Sequence, residues 1–179
     1  SEEESYLEPN KTSYSDPSIA GGGQIYTQVS HVAAYLKYLT EQDPVSVYAQ
    51  FENAGAEVDL FDALTVKMTE GTLVSLASAG APMQTERPYE VRIFGDQGMI
   101  FLELWKGTMS FHNRQKEVET LDPLTEGEIY PHEAPARNLV DAILGKSENH
   151  SPATFGLSAM EIIEGACQSA DSGAVVNLR

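Results

Sequence analysis

The stretch AGGGQIYTQVSH, residues 20–31, sets three glycines directly before a helix-like segment with a histidine two turns in. Each glycine weakens a helix by about 1 kcal/mol relative to alanine, so three at a helix entrance need a reason. At about 100° per residue, the segment 21–40 sorts into three stripes. Ile25, Val29, Val32, Leu36 and Leu39 form an apolar stripe expected to face a sheet, while Ser30, Ala34, Lys37 and Glu41 are expected to face water. Between them run Gln24, Thr27, His31, Tyr35 and Tyr38, donors and acceptors that suit a hydroxyl-rich small molecule. Lacking Cβ atoms, Gly21, Gly22 and Gly23 let a ligand or a second domain approach the backbone. The unpaired N–H groups of a helix start point outward there. The alternative is a flexible entry followed by a capped, half-buried histidine.

Outward from this helix, residues 1–20 are polar, hold two prolines and read as an extended lead-in. The segment TEQDP, residues 40–44, closes the helix. Six short β-rich runs follow: VSVYAQF, LFDALTVKM, TLVSLASAG, YEVRIFG, MIFLELW and TMSFHNR. The turn signals TEGT, GDQG and KGT between them predict an antiparallel meander of about six strands. APARNLVDAILG reads as a helix opened by Pro135 and stopped by Gly145. FGLSAMEIIEGACQSADSG reads as a second, with Leu157, Met160, Ile163, Ala166 and Ala170 on one face. AVVNL supplies a last strand. The order predicts one α+β domain over residues 1–179, an open, mainly antiparallel sheet with helices on one face. The run 99–105 is largely apolar on both sides, with Met99, Phe101 and Trp105, and Glu103 among them, opposite Ile100, Leu102 and Leu104. A strand of that kind is covered on both faces, either by local packing or by a second subunit across the sheet.

The composition narrows the partners. With 41% hydrophobic and 21% charged residues, the 179-residue chain is of ordinary globular type. Its formal net charge of −16 repels phosphate backbones and anionic membranes, so nucleic acid and membrane are not expected partners. A single cysteine, Cys167, rules out an internal disulfide and fits a reducing, cytoplasmic setting. Cys167 falls beside the apolar stripe of the last helix and reads as a small core residue. His112 on a strand and His150 in a polar loop read as structural or solvated, and His132 before a helix as a possible pocket residue. No His or Cys spacing suggests a metal.

The glycine run is not a dinucleotide fingerprint, because Tyr26 stands where G-x-G-x-x-G needs its last glycine and no strand precedes it. Nor is it a P-loop, since no Gly-Lys-Ser/Thr follows. The stretch DPSIAGGGQIYTQVSH resembles the opening of the C-terminal domain of the Gfo/Idh/MocA oxidoreductases. There an Asp-Pro turn and a glycine run lead into a helix bearing a histidine. VDLFDALTVKMTEGTLVSLAS is similar to the family's strand run, and residues 138–178 to its closing helices and strand. The resemblance implies the substrate-binding and oligomerising half of an enzyme. The family's other half is an N-terminal Rossmann domain that holds NAD or NADP and a Glu-Lys-Pro lysine, and neither is expected in this sequence. It further implies hydride transfer on a sugar, cyclitol or similar hydroxyl or carbonyl compound, in a homo-oligomer such as a dimer. His31 matches the family's proton-handling or substrate-orienting histidine. Thr27 stands where many members have an aspartate, and brings no charge to that histidine. Two further readings stay open: a non-redox binding module of the same fold, and an NAD-dependent glycosidase of the same family. With no phosphate-binding loop, the 179-residue chain is expected to bind no NADH; micromolar affinity in a calorimetric titration overturns that reading.

Overall fold

The computed structural model describes residues 13–80 and 88–178. The expected extended lead-in lies outside them as far as residue 12. Beyond it, Ser13–Ser15 form a 3-10 turn and Pro17–Ala20 a short helix, α1. Asp16 caps α1, its carboxylate accepting from the Ser18 amide at 2.9 Å. The chain divides into two compact units, one of Ser1–Met83 with Ser151–Arg179 and one of Gln84–His150.

In the first unit the glycine-led helix begins at Ile25, not at Gly21. Its first turn, Ile25–Val29, is π-helical and runs on into the α-helical Ser30–Thr40; the two together are α2. A π-turn inserts one residue into the helical repeat, so the face turned to the core is displaced. Ile25, Val29, Ala33 and Leu36 are buried, whereas Leu39, expected on that face, is 43% exposed. Below the helix lies a four-stranded antiparallel sheet in the order β3-β2-β1-β8. Its strands are β1 (Pro44–Glu52), β2 (Phe61–Met68), β3 (Leu73–Ala79) and β8 (Val176–Asn177). Their registers put Val47 and Ala49 of β1 beside Val66 and Leu64 of β2, and Leu64 beside Leu76 of β3. All five are buried in one core with α2. This alternation is the two-residue period of strands with one face turned to a core.

The last long helix, α5 (Ala153–Ser172), packs on both α2 and β1. Its buried face differs from the expected one. Ile163 and Ala166 are buried, but Leu157 and Met160 are exposed, and Ser158, Ala159, Gly165 and Ser169 are buried instead. Proximity selects these small residues. A Cβ on Gly165 would meet Val47 Cγ1 at 2.8 Å and Leu178 Cδ2 at 2.5 Å. Ser169 Oγ, fully buried, accepts from the Ala49 amide at 2.9 Å and donates to the Ala174 carbonyl at 2.6 Å, tying the helix to β1 and to its own exit.

The second unit holds a separate antiparallel sheet in the order β4-β5-β6-β7. The strands are Glu90–Phe94, Gly98–Glu103, Thr108–Asn113 and Val118–Thr120. Two helices follow, α3 (Glu126–Ile129) and α4 (Ala134–Ile143). The α+β class and the antiparallel pairing are as the sequence implied, but the meander is two sheets rather than one. Pro88, two residues before β4, has no N–H to continue a ladder. The three-residue β7 lies outside the six runs read from the sequence.

Two glycines of α5 separate propensity from packing. Gly165→Ala should destabilise by about 1–3 kcal/mol through overpacking, despite the better helix propensity of alanine. Gly156, with open space at its Cβ position, should gain about 0.5–1 kcal/mol when changed to alanine. Urea unfolding of both variants checks this, and a stabilised Gly165→Ala protein contradicts the packing.

Candidate functional site

The glycine run does allow a close approach, but of the chain itself. The loop between β1 and β2 brings Asp59 against it. Asp59 Oδ1 accepts from the Gly23 amide and Oδ2 from the Ile25 amide, each at 2.7 Å. The Gln24 amide donates to the Asp59 carbonyl at 3.0 Å. A Cβ on Gly23 would collide with that carbonyl, and one on Gly22 would meet Tyr26 Cδ2 at 2.8 Å. Three successive amides of the helix entrance are therefore satisfied internally, with the carboxylate at the positive end of the helix. The expectation of outward-pointing N–H groups at Gly21, Gly22 and Gly23 is corrected at Gly23, and also at Gly21, whose amide donates to the Pro17 carbonyl at 2.9 Å and closes α1. Gly21 is exposed, in the left-handed region at φ 81°.

Beside this contact the apolar side of β2 opens with a carboxyl group. Asp62 precedes Leu64, Val66 and Met68 on the inward face and is 3% exposed. Phe51 of β1 and Ser78 of β3 lie opposite it. Neither carboxyl oxygen accepts a hydrogen bond from a conventional donor. Burial first, then the charge of Asp59 and a hydrogen bond to it, push the Asp62 carboxyl up to about 8. The proton belongs on Asp62, because the two oxygens of Asp59 already accept amides. The signal for Asp62 was present in the alternation D-x-L-x-V-x-M, where an acid occupies an apolar position.

The mixed stripe of α2 does not stay together. Gln24 is 3% exposed and its Oε1 accepts from Ser78 Oγ at 2.8 Å, so its amide belongs to the interior. Its burial removes it from the open face on which it was expected to meet a ligand. Thr27 is half-buried and donates from Oγ1 to the Gly23 carbonyl at 2.9 Å. Tyr35 is half-buried, and Tyr38 is exposed, edge-on to Phe155 with centroids 6.2 Å apart. His31 is exposed. Behind the helix entrance, Cys167 of α5 is half-buried and packed against the core. Burial holds its thiol above the ordinary value, opposed by a hydrogen bond with Tyr26.

In the second unit a concavity of about 440 Å³ lies on the sheet face that carries Arg92, Phe101, Ser110 and His112. His112 packs edge-on to Phe101 with centroids 4.9 Å apart, its Nε2 3.1 Å from Ser110 Oγ. His132 is exposed and edge-on to Tyr130 at 4.7 Å, and the exposed His150 donates its amide to Asn138 Oδ1 at 3.0 Å. Trp105 stands beyond the end of β5, next to Tyr89 and Tyr130. Among the described residues, no group of three or more His, Cys, Asp or Glu side chains could hold a metal ion. No helix among them is long and apolar enough to cross a membrane.

The profile of the GFO/IDH/MocA C-terminal domain matches residues 3–101, more than half of the chain. A search of curated proteins returns no match. Solved structures share the fold at low identity. Aldose-aldose oxidoreductase from Caulobacter crescentus, crystallised with glycerol, is 20% identical with a TM-score of 0.79; the match covers 96% of this chain and 52% of that one. An oxidoreductase domain protein from Kribbella flavida is 14% identical with a TM-score of 0.81, over 97% of this chain and 54% of that one. Levoglucosan dehydrogenase in complex with NADH and levoglucosan is 17% identical with a TM-score of 0.80, over 96% and 54%. The chain thus spans about half the length of these structures.

The proton on Asp62 makes stability depend on pH. The folded state releases it near pH 8 and the unfolded chain near its ordinary 3.8. The stabilisation is therefore complete below about pH 4 and is lost as pH rises toward 8, by at most about 1.4 kcal/mol per unit. Asp62→Asn should gain in stability relative to the parent between pH 5 and pH 8. A difference between the two proteins that stays constant over that range, measured by urea unfolding, contradicts the assignment.

Proposed function

The chain belongs to the GFO/IDH/MocA C-terminal domain family, and from that premise we propose that it forms the substrate-binding and oligomerising part of an NAD(P)-dependent oxidoreductase. The proposed substrates are sugars, cyclitols or similar hydroxyl and carbonyl compounds. The observation that carries the reading is the exposure of His31, two turns beyond a helix entrance fixed by Asp59. Levoglucosan and glycerol in the crystals of similar folds support the substrate class. In this reading His31 takes the hydroxyl proton during oxidation or returns it during reduction. Thr27 shapes the first turn through the Gly23 carbonyl.

In this reading the glycine run is not a cradle for the nicotinamide nucleotide. The amides at the glycine run that a pyrophosphate would need are taken by Asp59. NAD or NADP is accordingly assigned to a nucleotide-binding domain of the kind the family pairs with this one. Self-association is assigned to the face of the second sheet that carries Phe101, where Phe94, Met99 and Val118 are exposed around it.

In the enzyme joined to its nucleotide-binding domain, His31→Ala should lower turnover by about 10²-fold or more, the usual scale for losing an acid–base group. An exposed side chain of this kind should leave the melting temperature nearly unchanged. Turnover and melting measured on the same sample decide the matter. Unchanged turnover with a lowered melting point makes His31 structural and favours the non-redox binding module, a reading to which the uncharged Thr27 also points.

A further inference from the structure

The pairing of Asp59 with Asp62 reaches beyond stability. Asp59 accepts the amides of Gly23 and Ile25 and also meets the buried Asp62 carboxyl, whose two oxygens have no other hydrogen-bond partner. Like charges that close cannot both be buried at low cost. Once Asp62 ionises, the repulsion is relieved by moving Asp59, the member on a loop, and Asp59 is what holds the helix entrance.

We propose that Asp62 and Asp59 form a proton latch: a proton held between them keeps the glycine-led entrance of α2 closed, and its loss releases Asp59 from the Gly23 and Ile25 amides.

The surroundings offer little to compensate for a second charge. β1 and β3 present Phe51 and Ser78 opposite Asp62, and the Ser78 hydroxyl already donates to Gln24. Around Asp59 stand Tyr26 from the π-turn and Cys167 and Glu164 from α5. Tyr26 and Cys167 are themselves held above their ordinary values, first by burial. None of these three brings a positive charge. The described lysines of this unit are engaged or turned away, Lys37 with Asp43 at 2.6 Å and Lys67 on the exposed face of β2. Gly21, Gly22 and Gly23 adjoin the released segment, and Gly21 already occupies the left-handed region.

The sign follows from the elevated carboxyl. The closed entrance gives up its proton near pH 8, and an open, solvated Asp62 near its ordinary 3.8. Opening therefore becomes easier by up to about tenfold per pH unit between those values, then levels off.

Amide hydrogen exchange on the 179-residue chain between pH 5 and pH 9, corrected for intrinsic rates, tests this directly. The Gly23 and Ile25 amides should be less protected than those of Leu64 and Val66 in the central strand. Their protection should fall with pH up to about 8 and then stay flat. In Asp62→Asn, which keeps a donor toward Asp59 without a titrating proton, that slope should vanish. Entrance amides as protected as the β2 core, or a slope that survives in Asp62→Asn, overturn the latch. Infrared spectroscopy of the parent protein supplies a readout that needs no variant. A protonated-carboxyl band should persist at pH 7 and fade with the same midpoint as the Gly23 amide shift, and its absence at pH 7 also overturns the proposal. Neither readout depends on catalysis, so the latch stands or falls separately from the role given to His31.

Discussion

Two amide hydrogens, those of Gly23 and Ile25, converge on the carboxylate of Asp59, and a third from Gln24 meets the carbonyl of the same residue. This contact fixes where α2 starts, and hence which of its residues face inward. A helix begun at Gly21 would run as the uniform repeat read from the sequence. Starting at Ile25 against Asp59, it takes a π-turn and brings Ala33 rather than Val32 fully into the core. It also turns Gln24 inward and leaves His31 on the surface. The glycines are required because a Cβ at Gly23 would occupy the place of the Asp59 carbonyl.

The same contact imposes its own constraint. An acid that caps a helix gains from staying charged, and a second acid buried beside it gains from staying neutral. The first unit resolves the conflict by dividing the roles. Asp59 receives the amides, while Asp62, on the inward face of β2, carries the proton. The consequence is a core with a titrating group between its sheet and its helix entrance. Elsewhere that core is conventional, with Val47, Leu64, Val66 and Met68 packed against Ile25, Val29, Ile162 and Ile163.

What could be read from the sequence divides along physical lines. Strands β1 to β6 were legible because turn signals such as TEGT and GDQG bound alternating runs, and local chemistry sets such turns. The need for a close backbone approach at the glycine run was legible for the same reason. The occupant was not, since Asp59 lies 36 residues from Gly23 and only the fold brings them together. The helix faces of α2 and α5 were legible only in part. Periodicity ranks large apolar side chains highest, whereas contact distance in α5 selects Ser158, Ala159, Gly165 and Ser169. His31 was legible as the exposed polar member of its stripe, but Gln24, its expected companion, is held in the interior by Ser78.

The division of the chain carries a consequence for its synthesis. The second unit, residues 84–150, is an insertion within the first. Helix α2 and strand β1 are made before the second unit, whereas the helix that covers both and the strand that completes the sheet edge arrive only after residue 151. Until then Val29, Ala33, Val47 and Ala49 lack the partners that bury them. The first unit thus closes through contacts far apart in sequence, the kind that form slowly. The second sheet pairs only neighbouring strands, through short turns. On a ribosome the second unit has every means to fold first, and α2 and β1 must wait, apolar surface open, for α5 and β8 to emerge.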